Sequence, residues 1–435
     1  MISNTITKGI NGEPNIPGDK SISHRSIIIP SISNGRCEIN NILKSADVLH
    51  TLEAFKSMGV SIIEDKKNLV INGKGLNSLC ESNNPIYLGN SGTSARLLAG
   101  LLSAQSFNSV LIGDKSLSSR PMKRISEPLA KMNAKIDTTN GSLPLSIKSS
   151  NMHAANIELK IPSAQIKSGL LLAALNIKGE TVISESKITR DHTEIMLKSF
   201  GANIKTSKIK NKKIIKIVGQ TELFPKNINV PNDLSSSAFF IVAALINKNS
   251  NITFKNINNN PTRNGIIIAL KKMGANIKLS NERIDNNENV CDIEVITSDL
   301  NGCDLGPEFA DLMIDEYPIL AIAASFANSP SIFRGLDELR VKESDRLKLI
   351  LLNLQNCGID CKTENNDLFI YPSKEYKVKK NLIQTDFDHR IAMAFCIMGT
   401  KIGPLKIEDS NSIDTSFPNF KNELNRLGGK IFWRK

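Results

Sequence analysis

Ser163-Ala164-Gln165-Ile166-Lys167-Ser168-Gly169-Leu170-Leu171-Leu172-Ala173-Ala174-Leu175 opens on polar residues and then becomes almost wholly apolar. That pattern predicts a helix buried all round rather than an amphipathic one. Five other stretches share it, opening at Ser21, Gly92, Ser235, Asp315 and Asp388, with successive spacings of 71, 71, 72, 80 and 73 residues. A second helical pattern interleaves with the first. It ends at Met58-Gly59-Val60, Met132-Asn133-Ala134, Phe200-Gly201-Ala202, Met273-Gly274-Ala275, Cys357-Gly358-Ile359 and Leu427-Gly428-Gly429, at intervals of 74, 68, 73, 84 and 70 residues. Gly or Asn at such an end fits a left-handed C-cap, where the missing Cβ or the short polar side chain lowers the steric cost. Two helix families with one period describe six copies of one unit, each with two helices and several short strands.

The strands are visible where β-branched residues cluster between polar turns, as in Asn68-Leu69-Val70-Ile71-Asn72 and Lys213-Ile214-Ile215-Lys216-Ile217-Val218. After Gly428 only Lys430-Ile431-Phe432-Trp433-Arg434-Lys435 remains, too little strand for a whole unit, so the N-terminal residues are expected to complete the sixth. The chain then leaves one lobe near Pro17-Gly18 and returns near Pro231-Asn232. Residues 1–17 plus 232–435 form a discontinuous lobe of three repeats, and residues 18–231 form an inserted lobe of three.

A chain of 435 residues is too long for one hydrophobic core, which agrees with two lobes. Apolar residues are 40%, charged residues 23%, and mean hydropathy is −0.15, which excludes a disordered or membrane class. No apolar stretch reaches the ~20 residues of a membrane span. The first residues, Met1-Ile2-Ser3-Asn4-Thr5, lack the basic and apolar regions of a signal peptide. Seven Cys without a Cys-x-x-Cys pair suggest neither a disulfide framework nor a zinc site. These features predict a cytoplasmic protein. The net charge of +12, from 55 Lys and Arg against 43 Asp and Glu, fits either a polyanion-binding surface or an enzyme for anionic substrates.

Helix N-termini carry unpaired N–H groups and suit anions. Lys20-Ser21 with Arg25, Gly92-Thr93 with Arg96, Ser163 with Gln165, Asp315-Glu316, and Asp388 with Arg390 all lie near a predicted helix start. For a single such helix, capping by Ser or Asp is an adequate account. Capping does not explain a cation in the first turn, which opposes the dipole, and the recurrence of that placement is informative. The glycine-rich turn Leu88-Gly89-Asn90-Ser91-Gly92-Thr93 is not a P-loop, because no Gly-Lys-Ser/Thr follows. Three further charged clusters are Arg120-Pro121-Met122-Lys123-Arg124, Thr189-Arg190-Asp191-His192-Thr193-Glu194, and Arg340-Val341-Lys342-Glu343-Ser344-Asp345-Arg346. An exposed helix with i,i+3 and i,i+4 ion pairs is an alternative reading of the last.

Taken in order, Pro17-Gly18-Asp19-Lys20-Ser21-Ile22-Ser23-His24-Arg25, Gly89-Asn90-Ser91-Gly92-Thr93, Arg120-Pro121-Met122, Ser163-Ala164-Gln165-Ile166-Lys167, Arg190-Asp191-His192-Thr193, Asp315-Glu316, Arg340 to Arg346, and Asp388-His389-Arg390-Ile391-Ala392-Met393 span nearly the whole chain. This set resembles the 5-enolpyruvylshikimate-3-phosphate synthase family. The resemblance implies an α/β fold of two lobes, each of three βαβαββ repeats, forming an inside-out α/β barrel with the active site in the cleft between the lobes. It also implies transfer of the enolpyruvyl group of phosphoenolpyruvate to the 5-hydroxyl of shikimate 3-phosphate, in the shikimate pathway to chorismate and the aromatic amino acids. The expected partners are these two small molecules, with no nucleic acid, no membrane, no metal and no cofactor, and the expected state is a monomer.

By the same resemblance, Lys20, Ser21, Arg25, Ser163, Ala164, Gln165, Arg190, Asp315 and Lys342 would hold shikimate 3-phosphate. Lys20, Gly92, Arg120, Gln165, Arg346 and Arg390 would hold phosphoenolpyruvate. Asp315 is the candidate acceptor of the 5-hydroxyl proton, and Glu343, with Lys20 beside it, the candidate proton carrier to the methylene carbon. Two positions bear on the branch of the family. Thr415, in Thr415-Ser416-Phe417-Pro418, stands where the better-studied branch has a Lys. Gly92 stands where some members that tolerate the inhibitor glyphosate carry Ala. The sister family that acts on UDP-N-acetylglucosamine usually has an acid Cys in a Gly-rich loop, and the corresponding stretch Gly113-Asp114-Lys115-Ser116-Leu117-Ser118-Ser119-Arg120 has none. A nucleic-acid-binding reading would need basic runs interleaved with aromatics, yet aromatics are only 5%.

Overall fold

A computed structural model describes every residue except Lys66, Lys67, Lys374, Arg434 and Lys435. The last two belong to the C-terminal run counted above and lie outside the described residues. One unit shows the repeat in full. The strand Asn156–Leu159 leads into the helix Ala164–Ala174, the strand Glu180–Glu185, the helix His192–Ser199 and the hairpin Asn203–Ile209 with Lys212–Val218. Asn156–Leu159 and Glu180–Glu185 pair in parallel, with Asn156 opposite Val182, as a crossover helix between them requires. Glu180–Glu185 then pairs antiparallel with Lys212–Val218, Glu180 opposite Val218, and the hairpin closes the sheet. This is a βαβαββ unit.

Six four-stranded sheets with equivalent strand order are present among the described residues. Each interleaved helix ends where the sequence predicts. Gly59, Asn133, Gly201, Gly274, Gly358 and Gly428 all have positive φ, between 68° and 120°. The longest interval, 84 residues, contains the longest hairpin, Asn276–Asp285 with Glu288–Ile296. The sixth sheet is closed by the N-terminus. Ile2–Ser3 pairs antiparallel with both Leu405–Ile407 and Ile431–Phe432.

The apolar helices start within two residues of their predicted openings. Asp19, Ser91, Ser163, Asp233 and Asp388 are N-caps whose side chains accept backbone N–H groups, so the helices begin at Lys20, Gly92, Ala164, Leu234 and His389. Ser235 therefore lies inside a first turn. The helix expected to open at Asp315 begins at Tyr317, with Pro318 in its first turn. All thirteen residues of Leu234–Ile246 are buried, the three serines of its first turn included, as a helix apolar on every face beyond that turn requires.

The chain divides into two compact units, Met1–Pro17 with Pro231–Ile284 and Asn289–Lys435, and Gly18–Val230 with Asp285–Glu288. Pro231 thus groups with the first unit rather than with residues 18–230. The grouping of Asp285–Glu288 with the second unit has no counterpart in the sequence reading. Each unit has its own apolar core. In the second, the helices Gly92–Ser103 and Ala164–Ala174 approach so closely that a Cβ on Gly100 would lie 1.9 Å from the carbonyl oxygen of Gly169. That contact of two glycines brings Arg96 and Gln165, one turn nearer the helix starts, within bonding range.

Candidate active site

In the unit containing Gly18–Val230, the predicted residues collect at the N-terminal ends of three buried helices. Lys20 Nζ lies 2.5 Å from Asp47 Oδ2, an ion pair with both groups largely shielded from solvent. Arg25 is buried. Its Nε donates to Thr193 Oγ1 at 2.6 Å, Nη2 to Ser168 Oγ at 2.8 Å and Nη1 to the carbonyl of Ser21 at 2.8 Å. Arg96 Nη1 donates to Gln165 Oε1 at 2.7 Å, and Gln165 Nε2 donates to Thr93 Oγ1 at 3.0 Å. Arg120 donates to Asn90 Oδ1 in the glycine-rich turn. A Cβ on Gly92 would meet Arg96 Nη1 at 2.7 Å and Arg120 Nη1 at 3.0 Å, so the bare backbone there makes room for two guanidinium groups. Ser163 caps the helix that carries Ala164 and Gln165, and all three are half-buried.

Behind Arg190 lies a buried charge network that the sequence reading left without a role. Lys167 is fully buried, with Nζ 2.8 Å from Glu185 and 2.7 Å from Glu194, and it donates to the carbonyl of Thr189 at 3.2 Å. Glu194 also pairs with Lys213 at 2.6 Å. The two lysines compensate the two glutamates, as a buried cluster requires, and Asp191 lies 4.0 Å from Lys213 at the edge. The network fixes the backbone next to Arg190. His24 sits beside Lys20 and Arg25, its Nδ1 2.8 Å from Thr51 Oγ1. Burial, reinforced by Lys20 and Arg25, holds its pKa well below the usual 6.5. The ring is neutral and structural.

In the other unit, Arg346 is the hub. It is fully buried at the first position of the helix Arg346–Asn356, so the seven-residue charged cluster is not one exposed helix. A 3-10 turn, Asp337–Val341, precedes it, and Lys342 to Asp345 connect the two. The alternative reading fails because Asp345 caps the second helix and breaks the periodicity, leaving Arg346 to point inward. Arg346 Nε lies 2.8 Å from Asp388 Oδ2, Nη1 3.2 Å from Asp315 Oδ1 and Nη2 2.5 Å from Glu343 Oε2. Burial works against its charge, but Asp388, Glu343 and Asp315 outweigh that and push its pKa up. Three carboxylates around one cation leave the local site with a negative excess. Arg390 and Lys342 offset it.

Arg390 Nη1 donates to the carbonyl of Asp315 at 3.1 Å, and Nη2 lies 3.9 Å from Asp315 Oδ2. Lys342 is half-buried, and that burial pulls its ammonium pKa down, with Asp315 opposing. Arg340, by contrast, bonds Asn366 and Asp345 at the surface and stands apart from this cluster. The sequence reading missed Asp47 as the partner of Lys20, and it missed Asp388 as a ligand of Arg346. Asp47 lies in the first turn of Ala46–Ser57 and reads like an ordinary helix-start carboxylate. Asp388 reads as an N-cap, which it also is, through Oδ1 to the N–H of Arg390.

One unit gathers cations suited to anions near its helix starts, and the other adds Arg390 and Lys342 around two carboxylates held on one guanidinium. Comparisons with known proteins agree in kind. Residues 4–424 match the family model described as EPSP synthase (3-phosphoshikimate 1-carboxyvinyltransferase). The chain is 44% identical over 422 residues to the 3-phosphoshikimate 1-carboxyvinyltransferase of Vesicomyosocius okutanii, covering 97% of this chain and 96% of that protein. It is 45% identical over 427 residues to that of Ruthia magnifica, covering 98% and 97%. The solved EPSP synthase of Acinetobacter baumannii superposes with a TM-score of 0.86 at 42% identity, covering 98% of each chain. The chain belongs to the EPSP synthase family.

Proposed function

We infer that the protein transfers the enolpyruvyl (carboxyvinyl) group of phosphoenolpyruvate to the 5-hydroxyl of shikimate 3-phosphate, giving 5-enolpyruvylshikimate 3-phosphate and phosphate. Family membership supports this over the sister transferase and over nucleic-acid binding. The reaction is an addition followed by an elimination. In the addition, the 5-hydroxyl oxygen bonds to C2 of phosphoenolpyruvate while the hydroxyl proton leaves and a proton arrives at C3, giving a tetrahedral intermediate. In the elimination, the C2–O bond to phosphate breaks and the C3 methyl gives back a proton. Neither step changes an oxidation state.

The observation that carries the assignment of roles is the shared guanidinium. Asp315 and Glu343 lie on Nη1 and Nη2 of the same Arg346, so one fixed plane orients both proton carriers. Asp315 accepts the 5-hydroxyl proton and Glu343 serves the methylene carbon. Lys20, Ser21, Arg25, Ser163, Ala164, Gln165, Arg190, Asp315 and Lys342 hold shikimate 3-phosphate. Lys20, Gly92, Arg120, Gln165, Arg346 and Arg390 hold phosphoenolpyruvate. For Arg346 the latter means sharing donors already directed at carboxylates, so its first task is to orient Asp315 and Glu343. For Arg25 the bonds to Thr193 and Ser168 hold the guanidinium from behind. The two substrates bring about 5–6 negative charges, counting roughly 1.5–2 per phosphate, and the clustered cations answer them.

Among the described residues no helix is long and apolar enough to cross a membrane, and all seven cysteines are free thiols. Free thiols fit a reducing compartment, and a cytoplasmic, monomeric enzyme is the proposed state. Phosphate release from purified protein given both substrates tests the function. No release, or release only when UDP-N-acetylglucosamine replaces shikimate 3-phosphate, overturns it.

A further inference from the structure

Glu316, next to the candidate base Asp315, is almost wholly buried, at 1% exposure. Its Oε1 accepts a hydrogen bond from Ser235 Oγ and lies 3.7 Å from Arg390 Nη1. Its Oε2 has no hydrogen-bond partner among the described residues. A buried carboxylate with one oxygen unsatisfied is costly, so its retention needs a reason. Behind it, Arg263 Nη2 donates to Ser235 Oγ at 2.6 Å and to Asp233 Oδ1 at 2.7 Å. Arg263 is itself buried and can only donate. The Ser235 oxygen therefore accepts from Arg263 and turns its own proton toward Glu316. Arg263 donates to Ser235, Ser235 donates to Glu316, and the Glu316 carboxylate in turn faces Arg390 as an ion pair.

We propose that Glu316 is a positioning residue that fixes the Arg390 guanidinium for the phosphoenolpyruvate anion, with Ser235 and Arg263 setting the carboxylate. This rests on the reaction inferred above. Arg390 Nη1 is held from two sides, by the carbonyl of Asp315 at 3.1 Å and by the Glu316 charge, while Nη2, 3.9 Å from Asp315 Oδ2 and beyond hydrogen-bond range of it, is the donor that would meet an anion. Asp315 does chemistry and Glu316 orients a binding group, although the two are adjacent in sequence.

The test is a steady-state comparison of wild type, Glu316→Gln and Ser235→Ala, each with both substrates varied. Glu316→Gln keeps the shape and an acceptor for Ser235 but removes the charge, so KM for phosphoenolpyruvate should rise about tenfold while KM for shikimate 3-phosphate stays within about twofold. Ser235→Ala, at a residue assigned to neither substrate, should raise the phosphoenolpyruvate KM about threefold and serves alone if Glu316→Gln fails to fold. In an Arg390→Lys background the Glu316→Gln effect should shrink to under about twofold, because the residue it acts through is gone. An unchanged phosphoenolpyruvate KM in a folded variant overturns the proposal, as do equal rises in both KM values or an undiminished effect in the Arg390→Lys background. Wild type that releases no phosphate overturns the reaction instead, a separate outcome.

Discussion

Asp315 Oδ1 lies 3.2 Å from Nη1 of Arg346, a cation that is wholly buried at the start of a helix thirty-one residues further along the chain. The contact joins two motifs that the sequence presents as unrelated. It also gives the candidate base a fixed orientation, because the same guanidinium is anchored through Nε to Asp388.

If Asp315 and Glu343 carry protons, removing either should slow chemistry far more than it weakens binding. Asp315→Ala and Glu343→Gln should lower kcat by about 10²–10⁴ with KM values changed much less. Steady-state kinetics decide this, and near-wild-type kcat in either variant removes that residue from the reaction.

Arg346→Met should be among the most destabilising substitutions in the protein. It leaves Asp388, Asp315 and Glu343 facing one another around an apolar side chain, and breaking a buried pair in this way costs about 3–5 kcal/mol. Urea denaturation should show the midpoint fall. Arg346→Lys should rescue only part of it, because an ammonium cannot meet three carboxylates in one plane.

Stability should decline below neutral pH partly through His24. Its folded-state pKa is depressed below 6.5, so the unfolded chain takes up the proton first. The contribution is fully present above pH 6.5 and is lost as pH falls from there toward the lower folded value, at up to about 1.4 kcal/mol per pH unit. Melting curves of wild type and His24→Gln between neutral and acid pH should converge as pH drops. Parallel curves would exclude this origin.

Gly92→Ala should weaken phosphoenolpyruvate binding selectively. The added methyl would meet Arg96 Nη1 at 2.7 Å and Arg120 Nη1 at 3.0 Å, and both guanidiniums have to move. Displacing Arg120 and the Arg96 that orients Gln165 by a few tenths of an ångström should raise KM for phosphoenolpyruvate about tenfold, with the melting temperature nearly unchanged. Gly100→Ala is the contrast. Its methyl would meet backbone, Gly169 O at 1.9 Å, so folding should suffer by about 1–3 kcal/mol or more.

Much of the architecture was legible without coordinates. Six glycine or asparagine helix ends at a common period become six left-handed caps, and the strand missing from the last unit is supplied by Ile2–Ser3. These are local signals repeated, and repetition turns a weak propensity into a strong pattern. Beyond the family resemblance, the site was legible only as cationic and small-residue motifs, some at helix starts and some in the three further charged clusters.

The amino-acid sequence by itself determined the repeat, the helix ends, the helix starts at Ser163 and Asp388, and the family to which the motifs belong. Tertiary structure alone decided which charges meet. Asp47 answers Lys20, Asp388 and Asp315 close on Arg346, and Glu194 binds both Lys167 and Lys213. The physical reason is range. Caps and periodicity arise from residues three or four apart, whereas a buried charge is matched by whatever partner the packing of distant helices brings within about 3 Å, and no local rule names that partner.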